Sequence, residues 1–101
     1  MRSWIVIGLI SLSLGACVGR PASEASGEEI YLQLCSNCHS AAASGGIGPS
    51  LGAGSVAAQL PDEFLRVTIT QGRGRMPSFA SALDDRQIER LIEYIREVQA
   101  G

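Results

Sequence analysis

The sequence contains no lysine and a single histidine, His39, and aromatic residues make up only 5% of it. Its positive charge comes from arginines scattered among ten acidic residues, and the net charge is −2. Proteins that bind nucleic acid usually carry a basic run and aromatic side chains on which bases stack. The sequence offers neither feature, and we therefore expect no nucleic-acid partner.

Long apolar runs are also scarce. The uncharged stretch near the start of the chain, residues 3–19, is interrupted by serines and glycines. It is a little shorter than the roughly 20 apolar residues that a membrane-spanning helix needs. An apolar core, residues 4–14, follows Arg2 and precedes small residues, which is typical of a secretory signal peptide. An uncleaved membrane anchor is the alternative that this stretch leaves open.

The end of this leader, Leu14-Gly15-Ala16-Cys17, resembles the lipobox of bacterial lipoproteins. In that family the chain is cut before the cysteine, which becomes the lipidated first residue. The resemblance implies that residues 1–16 are a signal peptide and that Cys17 carries a lipid anchor. A plainly cleaved leader, with Cys17 left as a spare thiol, is a further alternative. Each of these places the rest of the chain outside the cytoplasm, at the periplasmic side or outer surface of a bacterial membrane.

The composition changes after Cys17. Residues 18–26 are small and polar and include a proline, so we interpret residues 17–26 as the lipidated cysteine and a flexible tether with a reach of about 30 Å. Residues 27–101 then form the folded domain. A domain this small has a marginal core unless a disulfide, a metal or a cofactor supplements it.

Helical patterns dominate this domain. Residues 27–40 and 61–72 are spaced as helices, and a glycine-rich loop, residues 41–54, lies between them. The last helix has Asp84 as a capping residue and a single apolar stripe of Ile88, Leu91, Ile92, Ile95 and Val98. Its charges are spaced for pairs along the helix, namely Arg86 with Glu89 and Arg90 with Glu93. Because no alternating strand pattern is present, we expect an all-α fold of three to four helices.

The run Cys35-Ser36-Asn37-Cys38-His39 concentrates the metal-binding residues of the domain. Structural zinc usually needs four cysteine or histidine ligands, and the domain has three. A redox CxxC would require strands around it, and a disulfide within one helical turn would be strained. Covalent haem c uses all three residues, because the two thiols bond the haem and the histidine ligates its iron. CxxCH does occur by chance in zinc proteins, so the rest of the chain must decide.

Iron that is bound by one imidazole needs a sixth ligand or keeps an open site. The domain has no second histidine, and its only methionine, Met76, lies in the irregular segment RMPSF. A thioether is a soft ligand of haem iron in electron-carrying cytochromes. Core filling is the ordinary role of a lone methionine, but Met76 lies off any helical apolar stripe. We therefore predict His39 and Met76 as the iron ligands.

Together these residues resemble a class I cytochrome c of the small bacterial monohaem type, and the likeness covers residues 27–101. It is carried by the glycine and aromatic before CxxCH, the GPxL loop, the MPxF segment, and a leucine and aromatic in the last helix. These motifs are Gly27, Tyr31, Gly48, Pro49, Leu51, Met76, Pro77, Phe79, Leu91 and Tyr94.

The resemblance implies a role for several of these residues. The Pro49 carbonyl would accept the ring N–H of His39, and the aromatic of the last helix would pack on the glycine of the first. An apolar haem crevice would be lined by Tyr31, Leu34, Ile47, Leu51, Phe64, Leu65, Ile69, Phe79, Leu91 and Ile95. Many family members hold a haem propionate with a tryptophan, which this domain lacks. Gln71, Arg73 and Arg75 are the candidate substitutes, and solvation of both arginines is the alternative.

These features predict a monomeric, membrane-tethered haem c protein that carries single electrons and is not an enzyme. The expected partners are membrane redox complexes, such as a quinol oxidoreductase, a dehydrogenase and a terminal oxidase. One alternative is a gas or peroxide sensor, or a peroxidase-like enzyme, with an open sixth position. Another is a small cytochrome subunit of a larger oxidoreductase.

Overall fold

The computed structural model describes residues 19–101 of the chain. This part contains four α-helices and one short 3₁₀ turn, joined by loops. The leader and Cys17, with the predictions made for them, lie outside the described residues. Within residues 19–101 no β-strand forms, and the only bridge joins Arg73 and Met76. The elements are α1 (Gly27–Leu34), α2 (Ser36–His39), a 3₁₀ turn (Ala57–Gln59), α3 (Asp62–Gln71) and α4 (Asp85–Ala100).

The first predicted helix divides into two at the haem-motif cysteine. Ser26 caps α1 by accepting the backbone N–H of Glu29, and two acidic residues lie in the first turn, where they favour the positive end of the helix. Cys35 ends α1 with a φ of −111° and also precedes the single turn of α2. His39 is the last residue of α2. His39 therefore lies at the end of a separate short helix and not within α1.

Helix α4 begins as the sequence predicts. The Asp84 side chain accepts the N–H of Gln87, and the Gln87 side chain accepts the N–H of Asp84, which completes a capping box. Leu83, which directly precedes the capping residue, and Ile88 in the first turn are both buried. The apolar stripe faces the core, in which the most deeply buried side chains are Ile30, Tyr31, Leu91 and Ile92.

Helices α1 and α4 cross at Gly27. A Cβ atom at this position would lie 2.1 Å from the carbonyl oxygen of Arg90 and 2.8 Å from the Cβ of Tyr94. Only glycine permits so close an approach of the two backbones. The ring of Tyr94 packs next to that of Tyr31, with centroids 5.5 Å apart and planes tilted by 53°. Because of this crossing, α1 packs on α4, and Tyr31 and Cys35 are buried in the core.

Residues 19–25 differ from the predicted flexible tether, because they lie along α4. We call them the N-terminal strap. The side chain of Gln87 donates to the carbonyls of Pro21 and Ala22, at 3.3 and 3.2 Å. Arg90 donates to the carbonyls of Ala25 and Ser23, at 3.1 and 2.7 Å. Pro21 and Ala25 are buried. The strap is thus part of the packed domain, and its contacts begin before residue 27.

The surface charges pair between elements more than along α4. Arg66 of α3 donates to Glu63 on its own helix and to Glu89 of α4, the latter at 2.6 Å. Arg90, which the sequence pairs with Glu93, instead binds the strap carbonyls. Within residues 19–101 the pairs Arg86/Glu89 and Arg90/Glu93 do not form, so that prediction is wrong. In the same residues, no helix is both long and apolar enough to cross a membrane.

Candidate haem-binding site

The His39 side chain is fixed by the loop that follows it. Its ring is buried, with 8% of the residue exposed, and Nδ1 lies 2.7 Å from the carbonyl oxygen of Pro49. A carbonyl can only accept, so Nδ1 must carry the proton, and Nε2 keeps its lone pair for a metal. This is the contact that the family resemblance implies between these two residues. It orients the imidazole and increases its strength as a ligand.

Gly48 makes this contact possible. A Cβ at residue 48 would lie 2.8 Å from Cε1 and 3.0 Å from Nδ1 of His39, so the ring packs directly on the glycine backbone. The N–H of Gly48 donates to the carbonyl of Cys38 at 2.8 Å, and the N–H of Gly45 donates to the carbonyl of His39 at 3.0 Å. The glycine-rich loop therefore folds back on α2 and packs against the His39 ring.

Both cysteines of the CxxCH run are free thiols, and no disulfide joins them. Cys35 is buried and Cys38 is exposed, so the pair straddles the boundary between the core and the surface. Burial raises the pKa of the Cys35 thiol to about 12, with a smaller contribution from Cys38. In the unmodified chain the Cys35 sulfur is therefore a neutral thiol at physiological pH.

Tyr31 braces the residue that follows the histidine. Its hydroxyl donates to the carbonyl of Ser40 at 2.7 Å, and Tyr31 is fully buried. Ser40 has a φ of +66°, a conformation that non-glycine residues rarely adopt and that surrounding contacts must hold. Burial raises the pKa of Tyr31 to about 12, with smaller contributions from Cys35 and Tyr94. Tyr31 thus remains a neutral hydrogen-bond donor over the physiological range.

Met76 is presented by a tight turn after α3. The N–H of Arg73 donates to the carbonyl of Met76 at 3.0 Å, and the N–H of Met76 donates back at 2.9 Å. Gly74 has a φ of +58° at the first central position of this turn, where glycine is preferred. A Cβ on Gly72 would lie 2.6 Å from the Met76 carbonyl oxygen, and Gly72 itself has a φ of +76°. Gly74 thus permits the turn, and Gly72 leaves the space that the Met76 carbonyl occupies.

The segment after Met76 is tied to the end of α3. Phe79 donates its N–H to the carbonyl of Ile69 at 2.9 Å, and the Ser78 hydroxyl bonds the carbonyl of Thr70. Met76 and Phe79 are partly buried and pack against the core. Leu51, on the opposite loop, does the same. The structure thus brings the methionine segment and the histidine loop against one core, and their roles toward haem remain predictions.

The predicted crevice residues fall into three groups. Five are buried, namely Tyr31, Leu65, Ile69, Leu91 and Ile95. Four are partly buried, namely Leu34, Leu51, Phe64 and Phe79. Ile47 differs, because 83% of it is exposed. It lies between Gly46 and Gly48 in the loop that folds onto α2, and its role toward haem stays a prediction.

The three candidates for propionate binding are all exposed, namely Gln71, Arg73 and Arg75. The guanidinium carbon of Arg73 lies 5.1 Å from the centroid of the Phe64 ring, a cation–π contact that leaves the charge at the surface. The structure therefore gives Arg73 a partner that the sequence did not suggest. It assigns none of the three to a propionate.

Two residues near the end of α4 bind the segment between the histidine and α3, and they were not anticipated from the sequence. Gln99 donates to the carbonyl of Leu51 at 3.0 Å. Arg96 donates to Asp62 at 2.8 Å, to the carbonyl of Ala57 at 3.1 Å, and to the carbonyl of Leu60. Every residue has a main-chain carbonyl, so the sequence does not indicate which carbonyls Arg96 and Gln99 bind. These contacts are visible only in the fold.

Comparison with known proteins bears on the cofactor. A model of the family described as "Cytochrome C oxidase, cbb3-type, subunit III" matches residues 22–95. The chain is 40% identical over 91 residues to a dihydro-heme d1 dehydrogenase of Pseudomonas aeruginosa, an alignment that covers 86% of this chain. That alignment spans only 18% of the dehydrogenase, so the activity of the whole enzyme does not transfer with the likeness.

Two further relatives are of similar size to this chain. The 4-cresol dehydrogenase [hydroxylating] cytochrome c subunit of Pseudomonas putida is 29% identical over 107 residues, covering 99% of this chain and 88% of the subunit. The structure of the c-type cytochrome NirC superposes with a TM-score of 0.61 at 31% identity, covering 70% of this chain and 85% of NirC.

These findings confirm the predicted all-α class I cytochrome c fold, and they confirm covalent haem c as the cofactor. The residues fit that cofactor. Two free thiols stand at the CxxCH spacing, and the Pro49 carbonyl leaves Nε2 of His39 as the ring nitrogen able to ligate iron.

Proposed function

The chain belongs to the cytochrome c family represented by the cbb3-type oxidase subunit III model, and from this we propose that it carries single electrons on a haem c whose iron is ligated by His39 and Met76. Haem iron with these ligands supplies a one-electron couple and no open position for oxygen or peroxide. The protein therefore acts as a carrier and not as an enzyme.

The His39–Pro49 hydrogen bond of 2.7 Å is the observation that carries this proposal. It fixes the protonated nitrogen and the ring plane, so the imidazole is oriented before it meets iron. Met76, which lies in the turn that follows Gly72, would supply the second ligand. Ligands that the fold already holds in place require little rearrangement when the iron changes charge.

The proposal includes export and a lipid anchor at Cys17. Its support is the lipobox-like end of the leader and the requirement of covalent haem attachment for an extracytoplasmic setting. Each buried CH₂ contributes about 0.8 kcal/mol, so stable anchoring needs two or more acyl chains. Anchoring keeps the carrier at the membrane surface, where its concentration near membrane redox complexes is high.

The proposed partners are redox complexes outside the cytoplasm. A quinol oxidoreductase as donor and a terminal oxidase as acceptor suit a membrane-tethered carrier. A dehydrogenase suits it equally, since one relative is by its name the cytochrome c subunit of a cresol dehydrogenase. That likeness, over 88% of the subunit, favours a second candidate function as the cytochrome subunit of a larger oxidoreductase. Purification from native membranes distinguishes them, because a subunit copurifies at fixed stoichiometry and a shuttle does not.

The visible spectrum of the holoprotein tests the ligand set. We expect a low-spin ferric form with the weak red band of sulfur-ligated iron, and slow or absent carbon monoxide binding to the ferrous form at neutral pH. Met76→Ala should lose the band and bind carbon monoxide at once. A high-spin ferric wild type that binds carbon monoxide rapidly would overturn the carrier proposal in favour of a sensor or peroxidase-like enzyme.

A further inference from the structure

The N-terminal strap fixes the point at which any membrane anchor joins the domain. The side chain of Gln33, near the Cys35 end of α1, donates to the carbonyl of Gly19 at 2.8 Å. From there the strap runs back past Gln87 and Arg90 to the capping residue of α1. It therefore lies beside α1, which is about 12 Å long, and its first residue is held at the end of α1 that leads into CxxCH.

Covalent geometry then limits the free chain between anchor and domain. Cys17 precedes Gly19 by two residues, and two extended residues span about 7 Å. A freely moving segment from 18 to 26 would instead reach about 30 Å. We infer that the strap holds the domain close against the lipid surface, with the CxxCH end of α1 nearer to the bilayer than the Gly27 end. This inference rests on the proposed anchor at Cys17, and an uncleaved leader would give the same short link.

The consequence concerns the partner. A domain on so short a link reaches only redox centres that lie near the membrane surface, and it meets them by lateral diffusion of the anchor. Leu32, which precedes Gln33 on α1 and is 46% exposed, adds an apolar side chain near this end of the helix. The strap therefore favours membrane-embedded partners whose redox centre lies close to the membrane surface. It disfavours soluble partners and partners whose redox centre lies far above the membrane.

The first test measures whether the strap is docked, independently of any lipid. In a Cys17→Ser holoprotein, Gly19→Cys supplies a single free thiol for a spin label, since haem occupies the other two cysteines. We expect an immobilised label. Gln87→Glu should mobilise it, because the carboxylate still accepts from Asp84 but no longer donates to Pro21 and Ala22. A mobile label without Gln87→Glu would overturn the inference, whatever the fate of Cys17.

The second test uses the lipidated full chain in phosphatidylethanolamine–phosphatidylglycerol vesicles that carry a headgroup fluorophore. Haem close to the bilayer quenches this fluorophore. A Gly-Ser linker of roughly 12 residues between Val18 and Gly19 adds about 19 Å of root-mean-square reach and should remove most of the quenching. The same linker after Gly101 is the matched control and should remove none.

The outcomes separate the two proposals. If wild type floats with the vesicles and the variant with the linker after Val18 quenches as strongly as wild type, the short link is contradicted. The lipid anchor is then still supported. Wild type that does not float, as Cys17→Ser should not, contradicts the anchor, and the inference falls with it. Flotation with linker-sensitive quenching and an immobile label supports both.

Discussion

Tyr31 and Ser40 are joined by a hydrogen bond of 2.7 Å between a fully buried phenol and the carbonyl that directly follows the histidine of the haem motif. Ser40 has a left-handed backbone, so its conformation depends on such contacts. An aromatic residue that the sequence analysis expects to line the haem crevice is therefore also a brace for the segment that follows His39.

Tyr31→Phe removes this brace without changing the shape of the core. We expect a loss of about 1 kcal/mol in the free energy of unfolding, since one hydrogen bond is lost and the Ser40 carbonyl loses its donor. Urea denaturation of the ferric holoprotein measures the change. Tyr94→Phe is the matched control, because no hydrogen bond of the Tyr94 hydroxyl is present in residues 19–101, and it should leave the midpoint unchanged.

Alkaline pH should destabilise the protein through the same residue. The folded pKa of Tyr31 is about 12, and the unfolded value is about 10. Because the unfolded chain releases this proton first, raising the pH favours unfolding. The contribution is complete below about pH 10 and is lost as pH rises through about 12. Urea midpoints across this window should fall more steeply for wild type than for Tyr31→Phe, and equal slopes would contradict the assignment.

Gly72→Ala should displace the Met76 loop. The new Cβ would meet the Met76 carbonyl at 2.6 Å, and the positive φ adds strain. We expect weakening of the sulfur–iron band and faster carbon monoxide binding. Gly74→Ala separates the two causes, because Gly74 also has a positive φ but has open space around it. It should reduce stability by about 1–2 kcal/mol and retain the band.

Gly27→Ala should disrupt the crossing of α1 and α4. A Cβ 2.1 Å from the Arg90 carbonyl cannot be accommodated unless the helices separate. We expect destabilisation of about 3 kcal/mol or more, at or above the upper end for an overpacked core, measured by urea denaturation of the holoprotein. At Gly52 an added Cβ has only ordinary contacts, the nearest at 3.5 Å. Gly52→Ala should therefore be close to neutral, and a similar loss in both variants would contradict this account.

Acidification should weaken the link between α3 and α4. Chiefly through its hydrogen bond, Arg66 holds the pKa of the Glu89 carboxyl below its ordinary value. A lowered folded pKa contributes stability above the unfolded value, and that stability is lost as the pH falls through the folded value. Glu89→Gln should flatten the acid limb of a stability–pH curve, and added salt should reduce the difference because the pair is exposed. Glu93→Gln serves as the control.

Local sequence chemistry predicted much of the fold. The capping box of Asp84 and Gln87 and the α4 stripe involve neighbours along one helix, and their spacing is visible in the sequence. The His39–Pro49 contact was also anticipated, but through the GPxL motif and its family resemblance rather than through spacing. The division of the first helix at Cys35 was missed, because the helical spacing of apolar residues continues past Cys35.

Contacts across the chain account for what the sequence did not reveal. Gln87 and Arg90 bind carbonyls of residues more than 60 positions away, and every residue has a carbonyl to offer. A small, polar, proline-containing segment therefore looks like a linker whether or not a helix lies behind it. Arg96 and Gln99 escaped notice for the same reason, as ordinary polar residues of a charged helix.

Helix α4 contacts the strap, α1, α3 and the loop that carries Pro49, yet it follows all of them in the sequence and is synthesised after them. Until α4 is synthesised, α1 has no partner to pack against at Gly27, and the loop that carries Pro49 lacks its hydrogen bond from Gln99. The CxxCH run is thus synthesised before the structure that encloses it can form. The order of elements along the chain therefore leaves the Cys35 thiol, which is buried in the folded domain, accessible for haem attachment until α4 is complete.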